Sequence, residues 1–104
     1  MIAEIYKATQ PFPREEIYGL TSQLRRAAVS VASNIAEGHG RLAIGEYRHF
    51  LGMSRGSNYE VQTQLEVART LGYGTEEMLK HSEMCSDEVG RMLNALLTSL
   101  APKT

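Results

Sequence analysis

Five arginines, Arg25, Arg26, Arg41, Arg48 and Arg55, are the side chains of this sequence best suited to gripping a ligand. A guanidinium is permanently charged, and its forked N–H groups match phosphate and carboxylate oxygens. Arg26, Ser30, Ser33 and Glu37 recur at helical spacing, as do Arg48, Gly52, Arg55, Tyr59, Gln62, Glu66 and Arg69. Laid antiparallel with Glu37 and Ile44 flanking the turn, these two stretches put Arg26 level with Arg55 and Ser33 level with Arg48. Two guanidiniums at one level repel each other unless an anion or a carboxylate neutralises them. Pairing with Glu37, Glu60 or Glu66, within the chain or across an interface, makes Arg26, Glu37, Arg55 and Glu60 a structural polar seam. An RNA phosphate as counter-ion instead makes the five arginines a nucleic-acid-binding set. No aromatic stacking platform accompanies them in the sequence.

Other chemistry is thinly supplied. His81 and Cys85 stand four apart and share a helix face, but zinc needs three or four ligands. No metal and no cofactor is expected. His39 sits in a glycine turn, and general acid–base work would require a partnered carboxylate in a pocket, which a narrow helical bundle does not offer. No enzymatic activity is expected; a buried His–carboxylate pair would reopen a hydrolase or nuclease. Gly52 and Gly56 form a small-xxx-small step that reads as a close helix approach. A phosphate-cradling glycine loop needs a strand-to-helix turn, and the sequence has none.

Length and composition fit one globular domain spanning residues 1–104, with 42% hydrophobic and 22% charged residues. The net charge is −1, so the chain lacks the strong basicity common in nucleic-acid binders. Charge is unevenly spread: residues 14–55 hold six Arg against four Glu, and residues 56–104 hold four basic against seven acidic side chains. A single cysteine excludes an internal disulfide. No apolar run nears the ~20 residues that span a bilayer, and the N-terminus lacks a leader pattern, so a cytoplasmic location without membrane contact is expected.

Four helices must position the arginines. Periodicity predicts them at about residues 1–9, 13–37, 44–71 and 75–100, with core-facing stripes through Ile17, Leu20, Leu24, Ala27, Ala28, Val31 and Ile35, through Tyr47, Phe50, Leu51, Ser54, Asn58, Val61, Leu65 and Ala68, and through Met78, Ser82, Cys85, Val89, Met92, Leu93, Leu96 and Leu100. Pro11 and Pro13 break the chain after the first, Gly38 to Gly40 after the second, and Gly72 after the third. Thr75 is the expected N-cap of the fourth. Short connections make neighbours antiparallel, so the fold class is an all-α, up-and-down four-helix bundle. The first helix measures only about 14 Å against roughly 36–42 Å for the others. Ile2 and Tyr6 are expected to pack on helices 3 and 4. The far end, near the Gly38–Gly40 turn and Leu100, should expose side chains such as Phe50 or Leu51 unless a neighbour covers them.

Tyr18 to Ser30, then Asn34 to Gly38, Glu46 to Leu51, Arg55 to Ser57, Gln64-Leu65, Leu71 to Tyr73, Met92 to Leu96 and Ser99-Leu100 together resemble the 23S rRNA intervening-sequence proteins. The resemblance spans residues 5–100. It implies a homo-oligomer, a pentamer, of four-helix protomers. A related branch, markedly basic, serves as the accessory protein of diversity-generating retroelements and acts with a reverse transcriptase and its RNA. Three departures stand out: a first helix about half the family's usual length, the slightly negative charge, and Ala43 in place of the serine that would complete a capping box with Glu46. The expectation is a non-enzymatic, self-assembling bundle whose partner is RNA or a ribonucleoprotein. The alternative is a structural protein–protein interaction module with no nucleic-acid role.

Overall fold

The computed structural model describes residues 1–102. The sequence predicts a frayed tail over Ala101 to Thr104, of which residues 103–104 lie outside the described residues. The elements are α1 (Ile2–Thr9), a single 3₁₀ turn (Arg14–Glu16), α2 (Leu20–His39), α3 (Ile44–Thr70) and α4 (Glu76–Ser99), with no strand among the described residues. They form an up-and-down bundle measuring 49 × 22 × 18 Å. Each helix lies against its sequence neighbours, and α1 closes the ring against α4.

Seven of the eight helix boundaries fall within a residue or two of those read from periodicity. The start of α2 does not. Pro13 opens a 3₁₀ turn rather than the helix, and Gly19 (φ −112°, ψ −117°) breaks the path before Leu20. Glu16 Oε1 then accepts the Leu20 amide at 3.1 Å, satisfying a donor that a helix start leaves open. Ile17 and Tyr18 therefore stand in solvent, not on the apolar stripe. At the other caps, Thr75 Oγ1 accepts the Met78 amide at 3.2 Å, while Ala43 caps α3 with no side-chain bond. Gly72, at φ +75°, takes the left-handed conformation that ends α3, with the Tyr73 amide reaching back to the Ala68 carbonyl at 2.9 Å.

The core is apolar where four helices are present. Ile5, Phe12, Leu24, Ala27, Ala28, Val61, Leu65, Ala68 and Leu79 form one buried cluster at the α1 end. Phe12 packs on Tyr73 with ring centroids 5.7 Å apart, and the Tyr73 hydroxyl donates to Glu16 Oε2 at 3.1 Å. Beyond α1 only three helices continue, and there the centre turns small and polar. Ser54 Oγ donates to the Val31 carbonyl at 2.8 Å. Asn58 and Ser86 exchange two bonds, Nδ2 to the Ser86 carbonyl at 3.0 Å and Ser86 Oγ to Asn58 Oδ1 at 2.7 Å.

Several expectations are corrected. α1 lies against α2 and α4 and diagonally across from α3, so Tyr6 meets Arg25 of α2 rather than helix 3 or 4. Leu51 is fully buried at the end α1 does not reach, and Phe50 is half-buried with the Arg41 guanidinium 4.7 Å above its ring. What α1 leaves open is a groove between α2 and α4 just past Met1, lined by Ala28, Val31, Ala32, Ile35 and Val89. On α4 the buried line runs through Leu79, Ser82, Ser86 and Leu93, and Met92 is 70% exposed. Gly52 and Gly56 meet no other helix of the chain: a Cβ on either would find nothing within 4 Å. The close approaches occur at Gly38, where a Cβ would stand 2.8 Å from Phe50 Cβ, and at Gly90, beside Asn58.

Candidate nucleic-acid interface

The two adjacent arginines of α2, Arg25 and Arg26, have different jobs. Arg25 is half-buried. Its Nε donates to Thr9 Oγ1 at 2.8 Å, and its guanidinium lies 4.5 Å above the Tyr6 ring. Thr9 passes the chain on, donating to the Ile5 carbonyl at 2.9 Å. Arg25 thus pins the short α1 to α2. Arg26, one position along, is exposed and forms no ion pair with any described residue.

Arg26 opens onto a recess between α2 and α3 of about 540 Å³, lined by Gln23, Arg26, Ala27, Ser30, Glu60 and Gln64. Ser30 Oγ and Ser57 Oγ, 2.8 Å apart, hold the two helices together there. Asn34 Nδ2 donates to the Ser30 carbonyl at 2.9 Å and so fixes that serine. Glu60 faces Arg26 from the α3 wall without bonding to it. Gln64 Oε1 is buried and has no hydrogen-bond partner. A second depression, formed by Tyr6, Arg25, Arg26, Val29 and Ser30, shares Arg26 and Ser30 with the first. The two make one continuous face over α1, α2 and α3.

The expected register between α2 and α3 is displaced by more than one helical turn. Ser30 meets Ser57, Val31 meets Ser54, and Gly38 meets Tyr47 and Phe50. Arg26 therefore stands across from Glu60, not Arg55. The shift is visible at the turn, where the connection and first turn of α3 overhang the end of α2, leaving Leu42 and Ile44 in solvent.

The five arginines consequently do not share one face. Arg25 and Arg26 flank the recess. Arg41 sits at the tip of the bundle, 2.7 Å from Glu37. Arg55 turns toward α4, where Nη1 donates to Asn94 Oδ1 at 3.1 Å. Arg48 is half-buried with its Nε unpartnered. Of the expected seam, only Arg26 and Glu60 come together; Glu37 goes to Arg41 and Arg55 to Asn94. Among the described residues no three His, Cys, Asp or Glu groups gather to hold a metal ion.

Three contributors escaped the sequence reading. Tyr6 is the aromatic neighbour the arginines seemed to lack, and only the packing of α1 on α2 brings it there. Gln23 and Gln64 meet across helices, a pairing that depends on the register. Arg69 is a different omission. It bonds Glu66 at 2.8 Å and Glu76 at 3.0 Å, and Glu83 as well, tying α3 to α4. The Gly72 turn between Arg69 and Glu76 was the signal that could have revealed it.

Known proteins sharpen this picture. The 23S rRNA-intervening sequence protein family matches residues 1–95. This chain belongs to that family. A crystal structure from Bacteroides thetaiotaomicron, described as a protein of unknown function from the S23 ribosomal protein family, is similar with a TM-score of 0.80 and 20% identity, over 92% of this chain and 87% of that one. At that identity the likeness concerns the fold alone. No curated protein matches. Neither description names an enzymatic reaction, and among the described residues of this intervening-sequence family member no helix is long and apolar enough to cross a membrane.

Proposed function

We propose that this chain is a non-enzymatic, self-assembling bundle that binds RNA through the face formed by α1, α2 and α3. One observation carries the reading: an arginine with no described ion-pair partner, Arg26, stands beside Tyr6 and Arg25 at the mouth of a polar recess. Free guanidinium and an aromatic ring are the pairing that single-stranded nucleic acid engages, the one at phosphate or base edge and the other by stacking. Assembly would bring several copies of the face together. The family resemblance supports a pentamer, and an RNA or ribonucleoprotein partner.

The test is fluorescence anisotropy with short single-stranded RNA across a salt series. Affinity is expected to fall steeply with salt through counter-ion release. Arg26→Ala should weaken binding and leave the mass of the assembly unchanged. Arg55→Ala should leave binding intact, because Arg55 faces α4. Equal loss from both variants would remove the α1–α2–α3 face from consideration.

A second reading, a protein-docking module, rests on the outward strip of α3. Gly45, His49, Gly52, Gly56, Tyr59 and Thr63 follow a three–four spacing away from the rest of the bundle. The strip runs into a shallow depression at Thr63, Val67 and Leu71. It suits a helix from a second copy or from another protein.

A further inference from the structure

A carboxylate in the middle of an RNA-facing recess is out of place if the recess takes a phosphate. Glu60 would repel it. Nor does Glu60 serve as a partner for Arg26, since no bond joins them. The recess instead offers separate hydrogen-bonding functions on its two walls. Arg26 gives donors from α2, Glu60 gives a pair of acceptors from α3, and the half-buried Gln64 holds a buried oxygen that no described residue satisfies. A buried polar atom left unpaired costs free energy that a ligand can recover. The floor, Ala27 and Ser30, is small, and about 540 Å³ falls within the usual range for small-molecule sites.

These functions match one nucleobase better than the other three. Guanine carries two adjacent N–H donors, N1–H and the 2-amino group, which a carboxylate accepts side by side. It also carries O6 and N7, the acceptor pair that arginine reads with two N–H groups. Adenine, cytosine and uracil lack adjacent donors of that kind. We infer that the recess between α2 and α3 holds an unstacked guanine base of single-stranded RNA, with Glu60 on its Watson–Crick donors and Arg26 on O6 and N7. This deepens the RNA-binding reading and rests on it. Single-stranded RNA suits the assignment, because its bases are free to splay out and present their edges.

The experiment uses fluorescein-labelled short oligouridine and the same strand with one central guanosine, adenosine, cytidine or inosine. Inosine keeps O6, N7 and N1–H and lacks the 2-amino group. The guanosine strand is expected to bind about tenfold more tightly than the others, the size of one good paired contact to a base edge. Glu60→Gln should erase that preference and leave oligouridine binding at or above the wild-type level. Glu60 is exposed, so the variant is expected to stay folded, which circular dichroism checks. Equal binding of all five strands overturns the guanine site and leaves the RNA-binding reading standing. Inosine binding as tightly as guanosine, or a preference that survives Glu60→Gln, also overturns the assignment to Glu60. Absence of binding by every strand at low salt overturns the RNA-binding reading and the guanine site with it.

Discussion

The Ser82 hydroxyl is fully buried in the bundle and has no hydrogen-bond partner. Burying a hydroxyl unpaired costs roughly 1–3 kcal/mol. Ser82→Ala removes that cost and adds a better helix former, so it is expected to stabilise the chain by about 1 kcal/mol. A chain of this size should then melt about 4–8 °C higher. Asn58→Ala should act oppositely, because it leaves the buried Ser86 hydroxyl without its acceptor and opens a cavity, for a loss of about 2 kcal/mol or more. Chemical denaturation of the two variants beside the parent checks both signs. Arg69 gives a pH-dependent case. Hydrogen bonding to its guanidinium holds the Glu76 carboxyl below its ordinary value. The stability this contributes is complete above the unfolded carboxylate pKa of about 4.3, and is lost as pH falls through the lower folded value. Arg69→Ala should lower thermal stability at neutral pH and flatten its decline between about pH 5 and pH 3, since protonation then relieves repulsion among Glu66, Glu76 and Glu83. Parallel melting curves for parent and variant across that window would show that the cluster adds nothing.

Helix ends separate what residue types reveal locally from what they do not. Thr75 and Ala43 hold equivalent positions at the starts of α4 and α3, and only Thr75 makes a cap bond. Ala43→Ser restores the hydroxyl three residues before Glu46 and should stabilise the fold by about 1 kcal/mol. Thr75→Ala should cost a similar amount. Differential scanning calorimetry of the pair tests the symmetry of the effect. Both assignments were readable from the sequence because a cap depends on four consecutive residues. The start of α2 was not. Pro13 with Glu15 and Glu16 reads as a helical first turn, yet Gly19 breaks the path and Glu16 instead caps from outside the helix. Tyr73 holds Glu16 there from a turn 57 residues away in sequence.

The bundle as a whole presents two unmatched surfaces. The first is the outward strip of α3, where Gly52 and Gly56 weaken the helix without serving any contact within the chain. Each glycine costs about 1 kcal/mol against alanine, so Gly52→Ala with Gly56→Ala should raise the stability of an isolated protomer. Gly56→Trp tests the same strip in the proposed assembly. A Cβ at that position meets nothing within 4 Å and the strip faces outward, so a fall in mass by light scattering, with helicity unchanged, would locate the interface there. An unchanged assembly mass would locate it elsewhere. The second surface is the apolar groove past Met1 between α2 and α4. A version carrying about ten amphipathic helix-forming residues before Met1 should extend α1 into that groove. It should melt higher and aggregate less, because apolar surface then leaves water at about 25 cal/mol per Å². Equal melting temperatures would show that the groove is satisfied as it stands.

Periodicity alone determined that the chain is helical, how many helices it has, and most of what α2 and α3 bury; on α4 it found only Ser82 and Leu93 of the buried line. Leu24, Ala27, Ala28 and Val31 on α2 and Leu51, Ser54, Asn58, Val61, Leu65 and Ala68 on α3 lie on the predicted stripes. An apolar stripe needs only a facing apolar stripe, and that requirement holds wherever along the partner it is met. For the same reason the stripe says nothing about register: sliding one antiparallel helix along another by a turn keeps small and apolar residues in contact. Contacts distant in sequence made that choice, with Gly38 admitting Tyr47 and Phe50, Ser30 meeting Ser57, and Asn58 locking to Ser86. Moving the register by more than a turn set Arg26 opposite Glu60, turned Arg55 toward Asn94, and brought Gln23 and Gln64 to one recess. The residue types that make the candidate site are therefore plain in the sequence, and their grouping is a property of the tertiary structure, because helix–helix register is fixed by steric fit and not by hydrophobic pattern.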